Sequence, residues 1–264
     1  MTFSCPELTL EEVLALARRI GYDGIEPRLV SGHGHGIEID TPKETRKVVA
    51  ETVEKSGIKL ACVATSCRYA DPDTAAENVQ ITHESIDLAS DVGCKSIRVF
   101  GGAIGKGLSR DEAITLVVDS LKSLAEHAAE RDVTVCMETH DDWCDPSHVV
   151  EVMNRVSHKY VCVNWDIMHP VRMGLATMDE AFASVRPWIR HVHVHDGKTG
   201  PGAPASLELV PIGEGYVDHS KAVELLASIN YDGYLSGEWM KWTDPFESHL
   251  PRELKTLRAF ESGA

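Results

Sequence analysis

Strand-like and helix-like segments alternate through this chain from end to end, eight times over, and few folds accept such a pattern. The first unit reads as a short strand over Thr2–Cys5 and a helix with Thr9 as its N-cap, Leu10, Val13, Leu14 and Ala17 on its apolar face, and Gly21 as its stop. G-I-E-P-R-L supplies a second strand ending near Glu26. A polar loop follows (Ser31–Gly36), then a helix over Pro42–Lys55. The third and fourth units pair strands at Lys59–Thr65 and Ser96–Phe100 with helices at Asp73–Val92 and from Ser109 to Arg131, where Glu112 stands at capping-box spacing. Strands then fall at Val133–Glu138, Val161–Asp166, Ile189–His195 and Gly233–Glu238. Their helices are Pro146–Val156, Met178–Val185, Asp218–Ile229 and Phe246–Phe260, and a Gly/Pro-rich loop spans Gly197–Gly215.

Eight βα units predict an α/β fold closed as a single (β/α)8 TIM barrel occupying residues 1–264 as one domain. An open doubly wound sheet would carry a Gly-x-Gly-x-x-Gly turn after its first strand. None is present, and G-H-G-H-G at Gly32–Gly36 has the wrong spacing.

The formal net charge of −15 argues against a nucleic-acid backbone as partner, which would need clustered Lys and Arg. No run is long enough for a membrane span, and the first residues lack the pattern of a signal peptide. The seven cysteines (5, 62, 67, 94, 136, 144 and 162) form no Cys-x-x-Cys pair. Several lie in apolar runs, so reduced buried thiols in a cytoplasmic protein are expected.

Four apolar runs end on a hard metal ligand: V-C-M-E at Glu138, V-N-W-D at Asp166, H-V-H at His193 and L-S-G-E at Glu238. In a barrel these strand ends converge on one rim, where functional groups lie. Three carboxylates at close range repel unless a cation joins them. The donor set suits one divalent metal ion, with Mn2+, Mg2+ or Co2+ favoured and Zn2+ permitted. Each residue taken singly also fits a solvated rim position or a helix cap; four in consecutive units carry the argument. H-V-H-V-H-D places His191, His193 and His195 on one face of the seventh strand, so His195 is an alternative ligand, and Asp196 is free to orient the site or bond the loop. His169 and His140 lie within reach of a substrate. Arg98, Lys198, Lys241 and Trp242 are candidates for the mouth, and His33 and His35 for a lid.

In these motifs the chain resembles the xylose-isomerase-like TIM-barrel superfamily of sugar isomerases and epimerases. G-Y-D-G-I-E, R-V-F-G-G, D-x-x-H, H-V-H-V-H-D-G-K, G-E-G at Gly213–Gly215 and G-E-W at Gly237–Trp239 fall in the family's order over essentially the whole chain. The resemblance implies Glu138, Asp166, His193 and Glu238 as metal ligands, selects His193 over its neighbours, and makes His169 a substrate contact. It implies a small sugar substrate and proton transfer beside a carbonyl through a metal-stabilised enediolate, with Glu138 and Glu238 as acid and base. It leaves a homo-oligomer open.

A keto-polyol dehydratase, of the inosose or dehydroshikimate type, is the rival on the same scaffold, and a non-catalytic sugar-binding protein ranks lower. Ketose 3-epimerases carry a further Glu six residues beyond the fifth-strand ligand, where this chain has Cys144. The abasic-site endonuclease branch needs histidines on strands three and four and an Asp-x-His before Gly-Glu-Gly. Here those positions read A-T-S-C, F-G-G and L-V-P-I.

Overall fold

The computed structural model describes residues 1–199, 207–240 and 242–263. Parallel strands form a curled wall with helices packed outside it. The strands are β1 (Gly24–Ile25), β2 (Lys59–Leu60), β3 (Val63–Arg68), β4 (Ser96–Phe100), β5 (Thr134–Glu138), β6 (Val161–Asp166) and β7 (Ile189–Val194). A hairpin of β8 (Asp196–Thr199) and β9 (Leu207–Val210) precedes β10 (Leu235–Gly237). Around the wall the order is β10-β7-β6-β5-β4-β3, continued by the parallel pair β1-β2 and an Arg28–Ala64 bridge.

The helices are α1 (Leu10–Ile20), α2 (Lys43–Ser56), α3 (Ala75–Asp91), α4 (Arg110–Arg131), α5 (Pro146–Val156), α6 (His169–Arg172), α7 (Met178–Val185), α8 (His219–Ser228) and α9 (Phe246–Glu261). Local chemistry sets their starts. Thr9, Ser109 and Thr177 each close a capping box with the glutamate three residues on. Gly21 ends α1 at φ +103°, a left-handed conformation that a side chain would strain. Leu10, Val13, Leu14, Leu16 and Ala17 of α1 are buried, as helical spacing requires of a face laid on a sheet.

The fold class matches the sequence reading, with four local corrections. Thr2–Ser4 is a turn of 3-10 helix, not a strand. Pro6 follows at once, and the Thr2 hydroxyl accepts from Arg28 N at 3.1 Å, so the chain bends after making two strand-like bonds: Met1 N to Gly237 O (2.9 Å) and Thr2 N to Glu26 O (3.0 Å). The third strand breaks at residues 61–62 and resumes to Arg68. The Gly/Pro-rich loop contains the antiparallel β8–β9 hairpin.

The fourth correction concerns the supposed lid. His35 is buried, its Nδ1 accepting from Ile37 N at 3.0 Å; His33 Nδ1 lies 3.0 Å from the Thr2 hydroxyl, and Gly34 N donates to Pro6 O at 2.6 Å. A Cβ on Gly34 would meet Glu7 O at 2.6 Å, so glycine is what lets this loop lie flat on the body. All seven cysteines are free and buried. Among the described residues, no helix is long and apolar enough to cross a membrane.

Candidate metal and active site

The stagger of the parallel staves decides which side chains meet. Glu138 pairs in register with Asn164, so Asp166 stands two residues further along β6; Asp166 in turn pairs with His193, and His193 with Ser236. Glu238 follows β10 directly, its N–H donating to Val194 O at 3.1 Å. One ligand atom from each of Glu138, Asp166, His193 and Glu238 lies within 4.8 Å of the other three, and all four residues are buried.

His193 is the centre of the arrangement. Its Nδ1 lies 3.2 Å from Glu138 Oε1 and 3.3 Å from Glu238 Oε2; its Nε2 lies 3.1 Å from Glu26 Oε1. Burial alone would disfavour the imidazolium, but Glu26 and Glu138 outweigh it and hold the proton affinity well above the usual histidine range. Glu26 also receives His191 Nε2 at 2.8 Å. Burial pushes the Glu26 carboxyl up, and these two imidazoles bring it well below the usual range.

Arg98 was expected at the mouth. The structure places it inside, 1% exposed, with Nε 3.1 Å from Glu138 Oε2, a terminal nitrogen 4.0 Å from Glu238 Oε1 and another donating to Thr65 O at 2.8 Å. Its guanidinium also lies over the Phe100 ring at 4.0 Å. A charge buried this deeply costs several kcal/mol unless paired; the two glutamates are the pairing. Despite burial, Glu238 is held below the ordinary carboxylate range by His193 and Arg98.

Asp166 Oδ1 accepts from the backbone N–H groups of Met168 and His169 at 2.9 and 3.0 Å, which orients the carboxylate. Its Oδ2 lies 2.8 Å from His195 Nε2 and 3.8 Å from His169 Nε2. His195 thus leans on Asp166, and His193 is the histidine that meets the two glutamates. Burial dominates at His169 and, against Asp166, pushes it down to about 4. His140 meets the His169 ring edge-on at 4.2 Å between centroids. Against its own burial, a 2.8 Å contact with Asp141 raises it to about 9.

Lys198 sits exposed on β8. Lys241 lies outside the described residues. Trp242 packs on His249 and under Arg252. Asp196 binds the loop rather than the acids: its two oxygens accept from the N–H groups of Gly197, Gly213, Gly215 and Val217 at 2.9–3.1 Å.

The sequence reading assigned no role to Glu26. The signal was present, since G-I-E ends an apolar run on an acid as the four chosen motifs do. Its partners, however, come from the seventh strand, on the far side of the sequence.

The residues fit a divalent cation. Glu138 Oε2 and Asp166 Oδ2 are buried without a well-aligned hydrogen bond, beside Arg98 Nε at 3.1 Å and His195 Nε2 at 2.8 Å, and three buried carboxylates with one imidazole are a donor set that suits a divalent cation. The ring nitrogen of His193 opposite the acids is held by a carboxylate, the usual support for a metal-bound imidazole.

The chain is similar to known proteins in sequence and in fold. The chain is 27% identical over 244 residues to the L-ribulose-5-phosphate 3-epimerase UlaE of Salmonella paratyphi B, covering 86% of this chain and 81% of that protein. In fold it is similar to the probable 3-DHS dehydratase AsbF of Bacillus anthracis (TM-score 0.79, 20% identity, 97% of both chains). It is similar also to the IOLI protein solved with a bound zinc atom (TM-score 0.75, 18% identity, 99% of this chain and 95% of that one). The family model of the xylose isomerase-like TIM barrel matches residues 14–260, and the chain belongs to that family.

Proposed function

We propose that this protein is a divalent-metal-dependent epimerase or isomerase of a small sugar or sugar derivative. Glu138, Asp166, His193 and Glu238 would hold the ion, and Glu138 and Glu238 would serve as the acid/base pair. The observation that carries the reading is the approach of both glutamates, from β5 and from the end of β10, to the same nitrogen of His193 at 3.2 and 3.3 Å. Similarity to a sugar-phosphate 3-epimerase over most of the chain supports the substrate class.

When bound, the cation supplies Lewis-acid polarisation of a substrate oxygen. The remaining chemistry belongs to side chains. One glutamate takes the proton from the carbon beside the carbonyl, and the C–H electron pair moves toward the carbonyl oxygen. The facing glutamate returns a proton. Return to the opposite face of the same carbon gives an epimer; return to the former carbonyl carbon gives an isomer. Arg98 pairs with both acids and, with His193, holds Glu238 below the ordinary carboxylate range. His169, with its proton affinity held down, is a neutral hydrogen-bonding group for a substrate hydroxyl. Glu26 fixes the ring of His193 and touches no reacting atom.

The second reading is a dehydratase on the same site, and Cys144 favours it. Where ketose 3-epimerases have a further glutamate, this thiol is buried and pushed up to about 12, so it stays protonated and offers no carboxylate to a ketose.

Incubation in D2O with a panel of ketoses, keto-acids and inososes tests both. Deuterium incorporated beside the carbonyl, with no loss of water, is the expected result. An unsaturated product lighter by one water would replace the epimerase with the lyase. No exchange on any member of the panel would overturn both.

A further inference from the structure

Among the described residues, four arginines carry a side-chain nitrogen that is buried without a well-aligned hydrogen bond: Arg98, Arg131, Arg172 and Arg252. For three of them a carboxylate stands beside that nitrogen, Glu138 at 3.1 Å, Asp87 at 2.9 Å and Glu253 at 2.8 Å. Arg172 has no such partner among the described residues. Its side chain makes one weak contact of hydrogen-bond type, from Nη2 to Met173 Sδ at 3.7 Å. A guanidinium partly withdrawn from water without an anion is costly, and neither the barrel wall nor the acid/base pair uses this charge.

Arg172 stands at the site. α6 begins on His169, and Arg172 follows three positions later, so both side chains leave neighbouring positions on one helical turn. β6 delivers this turn just beyond Asp166. On one side is the loop after β5, with Cys144; on the other is the loop after the β8–β9 hairpin, with Tyr216. Burial pushes both the Cys144 thiol and the Tyr216 hydroxyl up to about 12, and the Arg172 charge draws each back down. Cys144 is therefore a protonated thiol and does not neutralise the guanidinium. The Tyr216 hydroxyl, which also feels Asp166, is buried without a hydrogen-bond partner. Its backbone is fixed: Tyr216 N donates to Gly197 O at 3.2 Å, and Asp196 holds the N–H groups of Gly215 and Val217 on either side.

On the reading of the site given above, on which this assignment rests, we propose that Arg172 and Tyr216 form a subsite for an anionic group. The substrate is then a sugar derivative bearing a carboxylate or a phosphate away from the reacting carbons. Either group offers two oxygens to the guanidinium fork and a further lone pair to the phenol, so both unpartnered donors are satisfied at once. The attraction has to be local, because a net charge of −15 repels an anion at long range. A substrate anchored by one end beyond β6 has its other end free to meet Glu138 and Glu238, so the subsite helps to set which carbon reacts.

Isothermal titration of the full chain, metal-loaded and again after chelation, tests the subsite. The probes are inorganic phosphate, ribulose, ribulose 5-phosphate and a keto-hexonic acid. Phosphate should bind both forms of the parent, and Arg172→Gln should weaken it by about tenfold or more in each, with circular dichroism unchanged. Arg172→Lys keeps the charge without the fork and should recover part of the affinity. The anionic sugars should bind the parent more tightly than ribulose and lose that margin in Arg172→Gln; the tighter of the two identifies the anion. Equal phosphate affinity in the parent and Arg172→Gln would overturn the proposal. So would phosphate binding that chelation alone abolishes, since the anion would then sit on the cation. Binding of phosphate to the chelated protein needs neither metal nor turnover, so a failure of the proposed reaction would leave this result standing and is told apart from it.

Discussion

Glu26 Oε1 lies 3.1 Å from His193 Nε2, on the side of the ring opposite Glu138 and Glu238. The first strand of the barrel thereby orients a residue of the seventh. A carboxylate in this position raises the basicity of the opposite nitrogen and stops the ring from turning. Glu26→Gln keeps the shape and removes the charge. Its expected effect is a metal affinity weaker by about 10- to 100-fold, measured by titrating the stripped protein with Mn2+ or Zn2+, while circular dichroism stays unchanged. Unaltered affinity would mean that the His193 ring is held by packing alone.

Glu138→Gln and Glu238→Gln should each lower turnover by several orders of magnitude, since each removes both a metal ligand and a proton carrier. The two losses should not add, because the residues act as one unit. A double variant about as inactive as either single one is the expected outcome, and near-normal turnover in either single variant would remove that residue from the mechanism.

Chelation should abolish activity and lower the melting temperature, with metal add-back restoring both. Ligand linkage predicts about 2.7 kcal/mol of extra stability when free metal stands at 100 times its dissociation constant. Differential scanning fluorimetry across a metal series checks the effect, and a melting temperature indifferent to every divalent ion would contradict the assigned site.

Burial lowers His35 to about 4, with His33 adding to the effect. Folded His35 is therefore neutral where the unfolded chain, near 6.5, binds a proton. The unfolded state takes up more protons, so the contribution is complete above pH 6.5 and is lost as pH falls from about 6.5 to 4. Its size is on the order of 3 kcal/mol. His35→Asn retains an acceptor for Ile37 N and does not titrate there. Urea midpoints at pH 7 and pH 4.5 should differ less in the variant than in the parent; equal differences would exclude His35 as a source of acid lability.

Asp196 collects four backbone N–H groups of the loop that follows the hairpin. Asp196→Ala leaves them without their acceptor and should cost roughly 3 kcal/mol, read as a lower urea midpoint and faster proteolysis near Gly213–Val217. An unchanged midpoint would show that solvent replaces the carboxylate without loss.

Local rules written in the sequence determined the alternation of elements, the capped starts of α1, α4 and α7, the strand ends at Glu138 and Asp166, and the barrel class itself. Each depends on neighbours a few residues apart. Tertiary structure decided the rest, because the stagger between staves is a property of the wall and not of any one strand. It aimed the His193 ring, the one the family resemblance singles out among three on that face, at both Glu138 and Glu238. It took Arg98 from the mouth to the interior as their counter-ion, and made Glu26 part of the site through partners more than 160 positions away. It also turned Thr2–Ser4 out of the wall, since a strand needs two flanking edges along its length and this segment meets them only at its first two residues.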